Sequence, residues 1–364
     1  MNQPDPSGNA AGPLPVPPAL VILLLGLILT LPSFFLRDLW NPDEPRYAEV
    51  SREMVVLNDY LVPHLNGEIY AEKPPLFFWL SAFFQALGFG VRAGRIVTAF
   101  AVMGTLFLTW ALARLWFPPP TPLLSVLILA TAFQFLWLGR VGVLDVPLGF
   151  FILMAVYGFC RFRRDGGWWA VLFYGGMGLA TLTKGPVGIL IICLGAISVA
   201  MFTEAPRRGR TLHILWGAPL TAAIICAWLI PASIQGGPEY RNIILFQQNI
   251  GRMVSSWSHA RPWYYYFTTL PVHFFPWCLF VPWALVWLWR KGKTYCGGGG
   301  RCMILWFCLG FLAFSIISGK RGRYLIPLLP ALAICVAVFL DAVARSAAAG
   351  KLRVWGRRLL LFQN

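Results

Sequence analysis

The chain has 364 residues, of which 58% are hydrophobic and only 12% charged, with a formal net charge of +16. A soluble domain carries about a quarter charged residues, so this composition, with mean hydropathy +0.66, excludes an ordinary soluble globular protein. The basic excess does not point to nucleic acid, because it falls in short clusters between apolar runs, as the positive-inside bias produces.

The first 18 residues, rich in Pro, Gly and Asn, read as a disordered cytoplasmic tail. They lack the positive start of a signal peptide, so Leu20 to Leu36 reads as a retained first span. Basic clusters at Arg161–Arg164, Arg207–Arg210, Arg290–Lys293 and Arg345–Arg358 thread the chain with these segments in the cytoplasm. The predicted spans are 19–36, 93–116, 122–138, 145–160, 168–183, 186–203, 212–231, 271–289, 302–318 and 324–341. An eleventh begins near 355 and is cut off by the chain end. The fold class expected is therefore an all-α, polytopic membrane bundle of about ten or eleven helices. Pro74 to Leu87 is apolar but too short to span; tandem prolines suit a helix start, and it reads as an interfacial helix. The cysteines fall in or beside apolar runs or match no metal spacing, and read as small hydrophobes.

This thread places a long first loop (37–92) and a large loop (232–270) on the outer face. Ten of the fourteen acids fall there, leaving only Asp5, Asp165, Glu204 and Asp341 inside. The segment Asn41 to Glu49 predicts a helix capped by Asn41 or Asp43. Its apolar stripe would be Tyr47, Val50, Met54 and Leu57, with Glu49, Arg52 and Glu53 on a solvated face. Glu72-Lys73-Pro74-Pro75 puts a lysine at a helix start, a suitable phosphate cradle. Asp145 opens a span directly after Arg140. Lys184 lies in a tight turn between two spans, where ionisable groups are functional, paired or snorkelling. The turn Lys320 to Tyr324 is densely basic on the face where the bias expects the opposite, and an anionic partner explains it. Aromatics of 263–266 beside His259 suit either a membrane belt or a sugar.

Cations, carboxylates and lipid thus meet on one face, which suits chemistry on an amphiphile with a phosphate head group. Lys73, Arg46 or Arg323 can stabilise a departing phosphate, and Asp43 can take a proton from an acceptor hydroxyl. A transporter would place charges near the midplane, often with internal repeats; neither is visible. A non-catalytic lipid-phosphate-binding protein would not need Asp43, Glu72 and Lys73 together.

The ordered set Asp43-Glu44-Pro45-Arg46-Tyr47-Ala48-Glu49, Leu65-Asn66-Gly67, Glu72-Lys73-Pro74-Pro75, Leu144-Asp145-Val146-Pro147, Leu182-Thr183-Lys184-Gly185-Pro186, His259 with Pro262-Trp263-Tyr264-Tyr265-Tyr266, and Lys320-Arg321-Gly322-Arg323-Tyr324 covers residues 20–342. It resembles the membrane-embedded GT-C glycosyltransferases that use polyprenyl-phosphate sugars, in particular the bacterial aminoarabinose transferase and protein mannosyltransferase-like group. The resemblance implies a single GT-C type domain over 19–364 with interfacial helices in its first outer loop. It implies inverting sugar transfer at the periplasmic face of the bacterial inner membrane, to a lipid A, glycan or protein acceptor. Asp43 then takes the place of the essential first-loop aspartate, with Glu44 and Asp145 as further catalytic candidates. Arg46, Lys73, Lys184, Arg323 and Tyr324 would meet the donor phosphate, and Glu72 with His259 would hold a divalent metal (Mg, Mn or Zn). Many members of that group continue through further spans into a soluble outer domain, whereas this sequence stops at Asn364, inside an apolar run.

Overall fold

The computed structural model describes residues 16–203, 214–246, 260–296 and 298–348. The expected eleventh span, His259 and the proposed disordered tail (apart from its last residues) lie outside them. Each of the ten expected spans contains a helix: α1 (Pro18–Thr30, continued by the single turn α2, Pro32–Phe35), α5 (Ala93–Ala113), α6 and α7 (Thr121–Thr131 and Phe133–Leu138), α8 (Asp145–Asp165), α9 (Trp169–Lys184), α10 (Val187–Phe202), α11 (Ile214–Gln235, followed by the short α12, Gly237–Asn242), α14 (Val281–Cys296), α15 (Gly299–Ile316) and α16 (Leu329–Ala348). Six helical segments among the described residues are long and apolar enough to cross a membrane singly, and a bent pair makes a seventh. The chain is a multi-pass membrane protein. Its centre is α8, packed on α5, α9 and α10, with α16 packed on α6, α14 and α15.

Two expected spans are broken. The span 122–138 kinks at Ala132, which leaves the helical region (φ −67°, ψ 125°). The expected span 271–289 is instead α13 (Tyr265–His273) followed, after a cis Phe275–Pro276 bond, by a 3-10 turn and α14. The two parts are bent by 117°; Pro276 supplies no N–H to continue the helix.

The first outer loop carries its own structure. Helix α3 (Asp43–Leu57) buries Tyr47, Val50 and Met54 as its spacing requires and ends at Asn58 in the left-handed conformation, φ 52°. Leu57, expected on the same stripe, is exposed because the helix ends there. Glu53 departs from its expected solvated face: it is buried and accepts the Gly67 N–H at 3.1 Å. Gly67 and Asn66 (φ 80° and 54°) turn the hairpin that joins β1 (His64–Leu65) to β2 (Glu68–Ile69), a turn that needs two positive φ values. Glu49 and Arg52 do lie on the solvated side, where they pair 2.7 Å apart. Helix α4 (Leu76–Phe84) follows the prolines and packs Phe77 and Phe78 against Tyr47. Gly88, at φ 93°, breaks the helical path before α5, so the segment is separate from the span, as its length implies.

Candidate active site

Residues that are far apart in sequence but expected on one face converge around Asp43. Its Oδ1 accepts from Arg46 Nη2 at 2.5 Å, and its Oδ2 from Arg323 Nη2 at 2.5 Å and Arg321 Nη1 at 3.2 Å. Arg323 also places Nε 3.4 Å from Asp145 Oδ2, while Asp145 Oδ1 pairs with Lys184 Nζ at 2.5 Å. Lys184 Nζ lies 4.3 Å from the centre of the Tyr324 ring. At the other end, Arg46 Nη1 is 3.5 Å from Glu72 Oε2, and its guanidinium faces Tyr47 and Tyr70. Lys73 donates to the Glu72 carbonyl at 3.1 Å. One chain of charges therefore runs Glu72, Arg46, Asp43, Arg323, Asp145, Lys184.

Local structure sets these positions. Asp43 is the first residue of α3, but neither it nor Asn41 caps the helix; Pro42 occupies the cap and no side chain bonds there. The carboxylate is instead turned to the three arginines. Asp145 starts α8 and Lys184 ends α9. The basic turn is held by a bridge between Gly319 and Ala260, by Lys320 Nζ donating to the Arg261 carbonyl at 3.0 Å, and by Tyr266 Oη donating to the Arg321 carbonyl at 3.2 Å. Burial opposes ionisation of Asp43, yet Arg323, Arg321 and Arg46 outweigh it and hold the carboxyl below its ordinary range.

Glu44, expected among the catalytic carboxylates, is a structural fastener. It is 3% exposed. It accepts from Arg95 Nε at 2.6 Å and Nη2 at 3.0 Å, from Gly142 N–H at 2.8 Å and from Trp40 N–H at 2.6 Å. With both oxygens so engaged it faces no open space. Arg95 in turn donates to the carbonyls of Ser33, Arg37 and Asp38. The pair ties the exit of the first span, the start of α3, the start of α5 and the turn before Asp145. Gly142 is required there: a Cβ would lie 3.0 Å from the Gly94 carbonyl carbon and 3.3 Å from Glu44 Oε1.

Arg321 and Arg95 were not singled out by spacing. Arg321 sat inside the basic turn without distinction from its neighbours. Arg95 carried a readable signal, an arginine inside an otherwise apolar helix, which is expensive unless paired. For the metal, Glu72 has a guanidinium as its neighbour, and among the described residues no group of three His, Cys, Asp or Glu comes together. His259, the other expected metal ligand, lies outside the described residues.

A multi-pass helical bundle with linked helices in its first outer loop, and carboxylates and cations gathered at the ends of its spans, is the GT-C architecture of membrane-embedded glycosyltransferases. The sequence matches the family model for dolichyl-phosphate-mannose-protein mannosyltransferases over residues 18–290, and the chain belongs to that family. A model of the Alg9-like mannosyltransferase family matches residues 245–364. An undecaprenyl phosphate-alpha-4-amino-4-deoxy-L-arabinose arabinosyl transferase of Edwardsiella ictaluri is 32% identical over 338 residues, covering 88% of this chain and 58% of the relative. A crystal structure of ArnT from Cupriavidus metallidurans bound to undecaprenyl phosphate superposes with a TM-score of 0.80 at 25% identity, covering 94% of this chain and 62% of that one. The archaeal oligosaccharyltransferase AglB of Archaeoglobus fulgidus shares the fold, with a TM-score of 0.61 at 14% identity, covering 91% of this chain and 51% of that one. The chain thus spans less than two thirds of the length of these relatives.

Proposed function

We propose that this chain is the membrane part of a glycosyltransferase that moves a sugar from a polyprenyl-phosphate donor to a lipid A, glycan or protein acceptor, working on the periplasmic face of the bacterial inner membrane. The observation that carries it is Arg323, which joins Asp43 and Asp145 at the junction of the first loop, α8, α9 and the basic turn. Around that junction five cations (Arg46, Lys73, Lys184, Arg321, Arg323) meet three carboxylates (Asp43, Glu72, Asp145). A surplus of two positive charges matches a phosphate monoester, which carries about −1.5 to −2 at neutral pH.

The charge surplus has a chemical use. An acceptor oxygen forms a bond to the anomeric carbon of the sugar while the bond from that carbon to the phosphate oxygen breaks. The electron pair stays on the polyprenyl phosphate, whose charge rises from about −1 towards −2. Fixed cations stabilise charge that grows in the transition state more than charge already present, and so accelerate the step. Tyr324, against Lys184, closes one side of the phosphate position. Asp43 is a weak base while three arginines hold it. It orients the acceptor, and the reaction needs least of it when the acceptor oxygen is itself an ionised phosphate oxygen. A hydroxyl acceptor would give its proton to Asp43, the more readily as the donor phosphate draws Arg321 and Arg323 away from the carboxylate. The names of the relatives favour an amino-pentose on undecaprenyl phosphate as the first donor to try.

Transfer of radiolabelled sugar from a panel of polyprenyl-phosphate donors into membrane extracts tests the reading, using a chain extended to the length of the relatives. Transfer lost in both Asp43→Asn and Lys73→Ala, with folding intact, supports it and names the sugar. No transfer from any donor would leave a lipid-phosphate-binding protein.

A further inference from the structure

On the other side of Glu44 from Asp43 stands a second concentration of positive charge that the transfer site does not use. Arg95 takes both oxygens of Glu44, Arg37 lies beyond it, and Arg140 stands next to Arg37. Arg37 comes no nearer than 4.0 Å to Glu44. Its Nη2 donates to the Arg140 carbonyl at 3.3 Å, and its Nε has no partner. The guanidinium lies beside the packed indoles of Trp40 and Trp137, 5.4 and 5.3 Å from their ring centres. Arg140 gives Nε to the Leu29 carbonyl at 2.9 Å. Neither Arg140 nor the exposed Asp38 next door forms an ion pair among the described residues. Three guanidiniums with one buried carboxylate, Glu44, and one exposed carboxylate, Asp38, leave positive charge in excess at the end of a membrane span, where unpaired charge is costly.

We infer that Arg37 and Arg140 form a second anion site, which takes the phosphate of a membrane lipid beside the first span. Burial and the neighbouring guanidiniums Arg95 and Arg140 depress the Arg37 pKa against the pull of Glu44, so a further anion relieves the cluster. The surroundings say what kind of anion arrives. Phe35 and Leu36, immediately before Arg37, are 80% and 81% exposed, and Trp40 is half exposed. Two apolar side chains open to hydrocarbon, then arginines, then an indole of the type that prefers the head-group layer, match a lipid with its chains against α1 and α2 and its phosphate on the guanidiniums. Arginine's planar fork suits phosphate in two-point contact. A soluble phosphate would make no use of Phe35 and Leu36. Because Glu44 links this cluster to the start of α3, lipid bound here also steadies the segment that carries Asp43.

Binding can be read without sugar transfer, so the inference stands or falls apart from the function proposed above. The full chain, in detergent micelles, would be titrated with dioleoyl-phosphatidylglycerol and with dioleoylglycerol, which has the same chains and no phosphate, and bound lipid counted by native mass spectrometry. Wild-type protein should retain phosphatidylglycerol over dioleoylglycerol. The pair Arg37→Gln and Arg140→Gln should weaken that retention about tenfold or more, since hydrogen bonds to charged groups are the strong ones. Arg161→Gln, at the opposite end of α8, should leave it unchanged, and Arg37→Lys, which keeps the charge without the fork, should fall between. Elution profile and melting temperature show that each variant is folded. Monophosphoryl lipid A forms a third arm: loss of its binding alone in the double variant would name a phosphorylated acceptor as the source of the phosphate. Phosphatidylglycerol and lipid A binding that survive the double variant, or inorganic phosphate binding as tightly as either lipid, would overturn the inference.

Discussion

Replacing Arg95 by Ala should be among the most damaging single changes outside the charge chain. The side chain is 1% exposed and Glu44 3%, so the substitution leaves a carboxylate buried without its main partner. Breaking a buried pair from one side costs about 3–5 kcal/mol, and the carbonyls of Ser33, Arg37 and Asp38 lose a shared donor as well. Glu44→Ala should cost a similar amount, because it strands the guanidinium together with the N–H groups of Gly142 and Trp40. The double variant should not recover wild-type stability. It removes both charges but leaves those two N–H groups orphaned, at about 1–3 kcal/mol each. The two losses should be strongly non-additive, with a coupling of about 1–3 kcal/mol. Equilibrium unfolding in mixed micelles on the four proteins of the cycle measures all of this. The conservative Glu44→Gln keeps an acceptor for Gly142 and should fall well short of Glu44→Ala. A cost below about 1 kcal/mol for Arg95→Ala, or simple additivity, would refute the fastening role, and with it the reading that Glu44 is not a catalytic carboxylate.

Asp43→Asn should reduce transfer by about two orders of magnitude, the usual scale for a group that positions or deprotonates a nucleophile, with donor binding retained; a parallel loss of binding would place Asp43 in the donor site instead. Lys73→Ala should weaken binding of polyprenyl phosphate about tenfold by a charge-assisted contact, read by titration of the unlabelled lipid. Because its arginines hold Asp43 below the ordinary value of about 3.9, the stability it contributes is fully present above that value. It is lost only as pH falls through the still lower folded value. The pH profile of transfer should therefore show no acid limb from Asp43 above about pH 4, and a limb near neutrality that disappears in Asp43→Asn would contradict the geometry. A Cβ on Gly322 would lie on the imidazole of His273, 2.6 Å from Nε2, so Gly322→Ala should displace the turn carrying Arg321 and Arg323 and abolish transfer. Adding His273→Ala should restore it, and failure of that rescue would show that His273 does not seat the turn.

How far the sequence foresees all this follows from what each feature depends on. Hydrophobic run length and basic clusters are local quantities; they place a helix in each expected span, though not always its ends, and put Asp43, Asp145, Lys184 and Arg323 on one face before any contact is known. What they could not supply is pairing. The adjacent carboxylates Asp43 and Glu44 are chemically almost alike, yet about 100° apart on a helix they meet different neighbours. One faces Arg46, Arg321 and Arg323; the other faces Arg95 and the Gly142 amide. Arg95 and Gly142 lie 51 and 98 residues away from Glu44, and no window of periodicity reaches that far. The break at Phe275–Pro276 failed for the opposite reason. A window of mean hydropathy averages over proline, although proline stops a helix however apolar its neighbours are. Charges are the informative exception: an arginine within an apolar helix or at the end of a span has to have a partner, so Arg95, Arg37 and Arg140 each raise, from the sequence alone, the question of what anion they serve. For Arg95 the fold answers with Glu44. For the other two it supplies only carbonyls, indoles and a distant carboxylate, and the answer has to come from the membrane.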